Sequence, residues 1–232
     1  MSGSTERRHK RSTDVQQRVA AKATPYPRCR IFDCKKPTRA ASGKGLNRLY
    51  CRSHEDHFQR HGSYTKKSYT AAELSPHRAT ATAWLQAHSD DIEVRNAVDA
   101  IASLMRRSGP AVEAFRLRGL PPEKRAKATW ARLRQANVDP LAIIAAAISV
   151  VLAIKNDLQP DLHVEFREVQ MAKAVHRMAS GTHKHWERER TGGGRLSVLL
   201  HKFPISRGRV LRHLGGQLHL STEIIRAELC SI

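Results

Sequence analysis

Apolar positions along the chain fall into two regimes. Up to about residue 70 they follow no sustained period, whereas from Ser75 onward they recur every three or four residues, the spacing that lines one face of a helix. Ser75-Pro76 reads as an N-cap followed by proline at the first helical position, opening a helix that carries Trp84 and Leu85. A second helix is expected from Asp90, with Val94, Val98, Ile101 and Met105 on one face and Gly109-Pro110 as its stop. A short helix over Ala111–Arg118 ends at Gly119. Pro121-Pro122-Glu123 then opens a helix to about Ala136, in which Ala126, Trp130 and Leu133 form the apolar stripe and Lys124, Arg125, Lys127, Arg132 and Arg134 take the remaining faces.

Asp139-Pro140 repeats the cap-then-proline signature before the longest apolar run, Leu141–Ile154, interrupted by Ser149. A membrane span needs about 20 apolar residues, so the run predicts a buried core helix. Asn156 to Pro160 breaks the chain, and a long helix is expected over Val164–Arg190 with Val169, Ala172, Val175 or His176, and Ala179 inward. Gly192-Gly193-Gly194 reads as a flexible joint. Beyond it Leu196–Phe203 fits strand or helix, and Arg207–Leu214 and Ser221–Leu229 read as helical. The fold class expected is mainly α: a disordered basic tail over 1–24, a small module over 25–70 whose Cys29, Cys34, Cys51 and His54 have the spacing of a zinc-binding site, a multi-helix domain over 71–190 and a Gly-joined helical appendix over 191–232.

Charge sharpens this division. The 232 residues carry a formal net charge of +20. Residues 1–70 hold 17 basic and 5 acidic residues, an excess of +12, so most of the charge precedes the helical region. Such an excess is the footprint of a polyanion binder, because each neutralised phosphate releases condensed counterions. Hydrophobic residues at 40% allow a core, which excludes wholesale disorder, and aromatics at 5% argue against an aromatic-rich sandwich. No apolar leader is expected within residues 1–24, so the protein is read as cytoplasmic and nucleic-acid-associated, with no membrane role.

Three of the four cysteines fall close together: Cys29-x4-Cys34, a 16-residue spacer, then Cys51-x2-His54. Two close pairs separated by a loop are what a tetrahedral Zn²⁺ site requires, and thiolates with a neutral imidazole suit zinc better than calcium or magnesium. Four protein ligands make such a site structural rather than catalytic. A disulfide between two of the three is the competing reading, weakened by the odd count and by His54. His57 and His61 share a helical face with His54, and either could replace it as ligand, although the two-residue spacer favours His54.

The run from Cys29 through Cys34, Gly45-Leu46, Cys51-Arg52-Ser53-His54 and Phe58-Gln59-Arg60-His61-Gly62 resembles the small Cys-Cys-Cys-His zinc modules of phage and mobile-element proteins. The resemblance spans residues 28–62 and implies a treble-clef or zinc-finger-like knuckle that presents basic residues to nucleic acid. Here Asn47-Arg48-Leu49-Tyr50 makes the loop before the third ligand longer than in that pattern. Some of those modules precede HNH-type nucleases, so His54-Glu55-Asp56-His57 and His183-Lys184-His185 are weighed as catalytic sets. The first overlaps the zinc turn, and the second lies on an expected helix without the strand pair such a nuclease needs, so no catalytic residue is assigned.

The nucleic-acid contacts expected are Arg28, Arg30, Lys35, Lys36, Arg39, Lys44, Arg48, Arg52 and Arg60, with DNA favoured over RNA as partner. A scaffold built on zinc would hold these side chains ready for phosphates. Self-association through the helical domain would place two modules on one duplex. The function expected is a zinc-stabilised, non-enzymatic nucleic-acid-binding protein with a regulatory or accessory role in a phage, plasmid or bacterial setting. A metal-dependent nuclease or integration accessory enzyme, and a structural component of a nucleoprotein or ribosome-like assembly, are the alternatives.

Overall fold

The computed structural model of the protein describes residues 12–13, 28–38, 40–41, 45–47, 49–179, 183–189, 191–201 and 208–229. The expected tail over 1–24 lies outside them apart from Ser12 and Thr13, as do Arg39, Lys44, Arg48, Arg207 and Cys230. The chain is mainly helical and divides into two compact units, Met1–Arg60 and His61–Ile232.

The first unit is small. A two-residue antiparallel pair, β1 (Ala40–Ala41) and β2 (Gly45–Leu46), precedes helix α1 (Arg52–His61). An isolated bridge between Arg28 and Pro37 closes the base of the segment that contains Cys29 and Cys34.

The second unit comprises α2 (Ala71–Ala87), α3 (Ile92–Arg106), a 3₁₀ turn at Arg116–Gly119, α4 (Pro122–Gln135), α5 (Pro140–Lys155), α6 (Val164–Met178), the hairpin β3 (His183–Glu189) and β4 (Arg195–His201), and α7 (Arg209–Leu229). Helix α5 is central and packs against α2, α3, α6 and α7. Every residue from Ile143 to Val150 is buried, so the apolar run is indeed a core helix, hydrophobic all round because it is covered all round. Asp139 caps it by accepting the Leu141 N–H at 3.0 Å, with Pro140 at the first helical position. Trp130, Phe166, Leu85, Ile101, Leu133 and Met171 fill the space around it. Among the described residues, no helix is long and apolar enough to cross a membrane.

Several boundaries differ from those expected. Helix α2 starts at Ala71, because Thr70 and Glu73 form a capping box: Thr70 Oγ1 accepts the Glu73 N–H at 3.2 Å, and Glu73 accepts the Thr70 N–H at 2.6 Å. Pro76 therefore lies inside the helix, on an exposed stretch where the carbonyl it leaves unbonded can meet water. The helix expected over Val164–Arg190 ends at Met178, and the chain continues as a strand pair in antiparallel register, His183 opposite His201 and Glu189 opposite Arg195. Gly192, Gly193 and Gly194 have φ of 128°, 87° and 96°, so they form the hairpin's turn in conformations that side-chain-bearing residues avoid. The two C-terminal helices expected separately are one, α7. Ala111–Arg118 forms only the 3₁₀ turn at its end.

Candidate metal centre

The cluster is built from two pieces of local structure. In the first, the chain between Cys29 and Cys34 folds back on itself: the Cys34 N–H donates to the Ile31 carbonyl at 3.0 Å, and the Cys29 N–H to the Lys36 carbonyl at 2.9 Å. Asp33 takes φ of 59°, which aspartate tolerates better than most residues, and this reverses the chain between the two thiols. In the second, Cys51 stands immediately before α1, where its carbonyl accepts the Glu55 N–H at 3.0 Å, and His54 lies in the first turn.

Asn47 sets the entry to that helix. Its Oδ1 accepts the N–H groups of Leu49 and Tyr50, both at 2.9 Å, and its Nδ2 donates to Glu55 at 2.6 Å. This side-chain turn accommodates the longer loop before the third cysteine. The Arg30 N–H donates to the Leu49 carbonyl at 2.9 Å and so ties the two pieces together.

The result brings Sγ of Cys29, Cys34 and Cys51 and a ring nitrogen of His54 within 4.8 Å of one another. His54 Nδ1 lies 3.3 Å from Sγ of both Cys29 and Cys51, and the Cys34 and Cys51 sulfurs are 3.9 Å apart. A tetrahedral ion bound at ordinary metal–sulfur and metal–nitrogen lengths has S···S edges of about 3.8 Å and S···N edges of about 3.5 Å. The four residues therefore fit a single ion with every position taken by protein.

Local electrostatics favour the ligand form at Cys51 and His54 but not at Cys34. Burial pushes the Cys51 thiol up, but the His54 and Ser53 N–H groups at the helix start and the neighbouring thiols outweigh it and hold Cys51 below the usual thiol range. At Cys34 the Lys36 N–H pulls downward, yet desolvation and the two other sulfurs leave it raised. Burial, then the nearby charges of His57 and Lys36, keep His54 low and hence neutral, as a metal-binding imidazole must be.

His57 and His61 are not members of the group. His61 is the first residue of the second unit, and within that unit its Nδ1 accepts the Ser68 N–H at 3.1 Å and its carbonyl accepts Gln170 Nε2 at 2.7 Å. Among the expected contact residues, Arg28, Arg30, Lys35, Lys36, Arg52 and Arg60 are exposed, and Arg52 pairs with Asp56 at 3.6 Å. Lys36, Pro37, Cys51, Arg52, Ser53 and Asp56 line a cleft beside the cluster. Arg39, Lys44 and Arg48 fall outside the described residues.

Two of the five basic residues of α4 prove to be structural, while Lys124 and Lys127 are exposed. Arg132 was expected on an open face but is only 4% exposed, donating to Thr129 at 3.0 Å and to His176 Nε2 at 3.2 Å. Arg134 clamps the end of α3 through the carbonyls of Met105 (2.9 Å), Arg106 (3.1 Å) and Gly109 (2.5 Å). Arg212 of α7 is ion-paired with Glu165. His183 and His185, weighed above on a helix, stand on strand β3.

Fold and site together define a class: a mainly helical chain with a Cys3His cluster that could hold a metal ion. The chain matches no protein-family model, no curated protein and no solved structure.

Proposed function

We propose that the protein is a zinc-stabilised nucleic-acid-binding protein, with DNA favoured over RNA, serving a regulatory or accessory role in a phage, plasmid or bacterial setting without a catalytic step of its own. The observation that carries this reading is the Cys3His cluster in a unit that exposes Arg28, Arg30, Lys35, Lys36, Arg52 and Arg60. Zinc is the ion that three thiolates and one imidazole in a closed tetrahedron suit best, and its role there is to hold the loops, since no ligand position is left for water. Basic side chains displayed on a metal-tied scaffold meet phosphates at little ordering cost. The consumption of Arg132, Arg134 and Arg212 by internal contacts further concentrates the available charge on the first unit. Self-association through the helical unit belongs to the same proposal and is read by analytical sedimentation.

Cys51→Ser removes one ligand and tests the reading directly. Zinc content should fall from one ion per chain towards none, and affinity for DNA at moderate salt should drop at least tenfold. If about five phosphates are neutralised, wild-type affinity should also fall roughly 10²–10³-fold between 50 and 200 mM salt. Undiminished DNA binding by a zinc-free variant would place the nucleic-acid surface elsewhere.

A further inference from the structure

The turn between the first two metal ligands ends in an aromatic ring facing water. Phe32 is 98% exposed, at the tip of the Ile31–Cys34 turn. Burying such a side chain is worth about 1.5–3 kcal/mol, and a turn tip is ordinarily given to polar residues, glycine or proline. Phe115, the other strongly exposed phenylalanine among the described residues, carries the Arg116 guanidinium 5.4 Å from its ring centre. Phe32 differs from it in standing almost wholly in solvent.

Its backbone, by contrast, is fixed on both sides. Cys29 and Cys34 belong to the cluster, the turn is closed by the Cys34 N–H, and the Arg30 N–H is bonded to Leu49. Only the two side-chain torsions remain for a partner to immobilise, so little entropy is lost on contact. The surroundings are cationic: residues 28–36 contain Arg28, Arg30, Lys35 and Lys36 against the single acidic Asp33.

A rigid, exposed ring amid positive charge complements a ligand that is both anionic and planar. A nucleobase next to its phosphates has those two properties together. In a continuous duplex the base faces are already covered by their neighbours, so the ring has nothing to stack on without prising a step apart.

We propose that Phe32 is a stacking platform for an unpaired nucleobase, so that the module prefers single-stranded nucleic acid, or a strand with an extruded base, to an uninterrupted duplex. This rests on the nucleic-acid reading above and narrows its substrate class. DNA and RNA single strands offer the same base face, and the ribose hydroxyl alone distinguishes them.

The test uses the full-length, zinc-loaded protein and fluorescently labelled 12-nucleotide DNA and RNA of one sequence, each single-stranded and as a duplex, at fixed salt. Three variants are compared: Phe32→Ala, Phe32→Trp and the double change Lys35→Gln/Lys36→Gln. Zinc content, measured for each, confirms that the turn is intact. Phe32→Ala should weaken single-strand binding roughly 5- to 150-fold, the measured range for losing one base–aromatic stack, and change duplex binding by less than about twofold. Phe32→Trp should restore single-strand affinity. The lysine changes should weaken both forms, and the DNA and RNA arms show which strand is bound more tightly.

If Phe32→Ala binds single strands like the wild type while the lysine changes weaken them, stacking is overturned and the nucleic-acid reading stands. Equal loss on duplex and single strand also overturns it. If the wild-type protein binds none of the four ligands, both readings fall together. A Phe32-dependent interaction with a protein surface or anionic vesicles in that case assigns the ring to a different partner.

Discussion

Gly215 and Gly216 are neighbours on α7 with opposite tolerance for a side chain. A Cβ on Gly215 would stand 2.4 Å from the Glu168 carbonyl oxygen and 2.8 Å from the Glu168 Cβ, so α6 and α7 approach backbone to backbone there. At Gly216 a Cβ meets nothing within 4 Å. Gly215→Ala should therefore destabilise the protein by about 1–3 kcal/mol, the usual cost of overfilling a packed contact, while Gly216→Ala should stabilise it by about 0.5–1 kcal/mol through helix propensity. Urea unfolding of the two variants checks both signs. Neither role is visible in the Gly-Gly dipeptide, because which glycine meets the neighbouring helix depends on where α6 lies. The buried Arg132 hides for a related reason. Its helix has Ala128 and Ala131 flanking the Trp130 stripe, and alanines give little hydrophobic signal, so a helix buried from Ala128 to Leu133 looks one-sided in the sequence.

At the scale of elements, α4 and α6 meet through Arg132 and His176. Burial, reinforced by the guanidinium groups of Arg132, Arg125 and Arg177, brings the His176 ring down to about 4. An unfolded histidine titrates near 6.5, so between these values the unfolded chain takes up a proton that the folded one refuses. Stability from this site is complete above about pH 6.5 and declines as pH falls towards about 4, by at most ~1.4 kcal/mol per pH unit. His176→Gln, which still offers an acceptor to Arg132, should flatten the change in urea midpoint between pH 7.5 and 5. An unaltered pH slope would assign the dependence to other groups. Helices with strong periodicity or paired cap signals were legible beforehand: α5 with its Asp139-Pro140 start, α3 with Val94, Ile101 and Met105, and α4 after Pro121. The β3–β4 hairpin was not. Its first strand, His183–Glu189, is so polar that it extends a helical composition, and its strand character depends on pairing with Arg195–His201 across the glycine turn. The Thr70-x-x-Glu73 box was present in the sequence but was overshadowed by the more conspicuous Ser75-Pro76.

At the scale of the whole molecule, the chain has two compact units of unequal self-sufficiency. The second contains the continuous core around α5, whereas the first is too small to be held by burial alone and brings together a Cys3His group that could hold a metal ion. Chelation should accordingly collapse the amide dispersion of residues 28–60 in a two-dimensional NMR spectrum, with the main thermal transition of the helical unit shifting by no more than a few degrees. Simultaneous melting of both units would show that the metal stabilises the second as well. The spacing of Cys29, Cys34, Cys51 and His54 was enough to pick out the four residues that the fold brings together, since short-range pairs need little tertiary knowledge. The Asn47 turn and the exposed ring at Phe32 needed the folded chain. Cys29 and His54, the first and last members of the cluster, are only 25 positions apart, and all four precede the helices of the second unit. During synthesis, which runs from the N-terminus, the segment with the Cys3His cluster is complete when α5 has yet to be made. If the cluster takes up an ion, that capture can precede the core around α5, so that folding of this segment would follow metal supply rather than the packing that forms later.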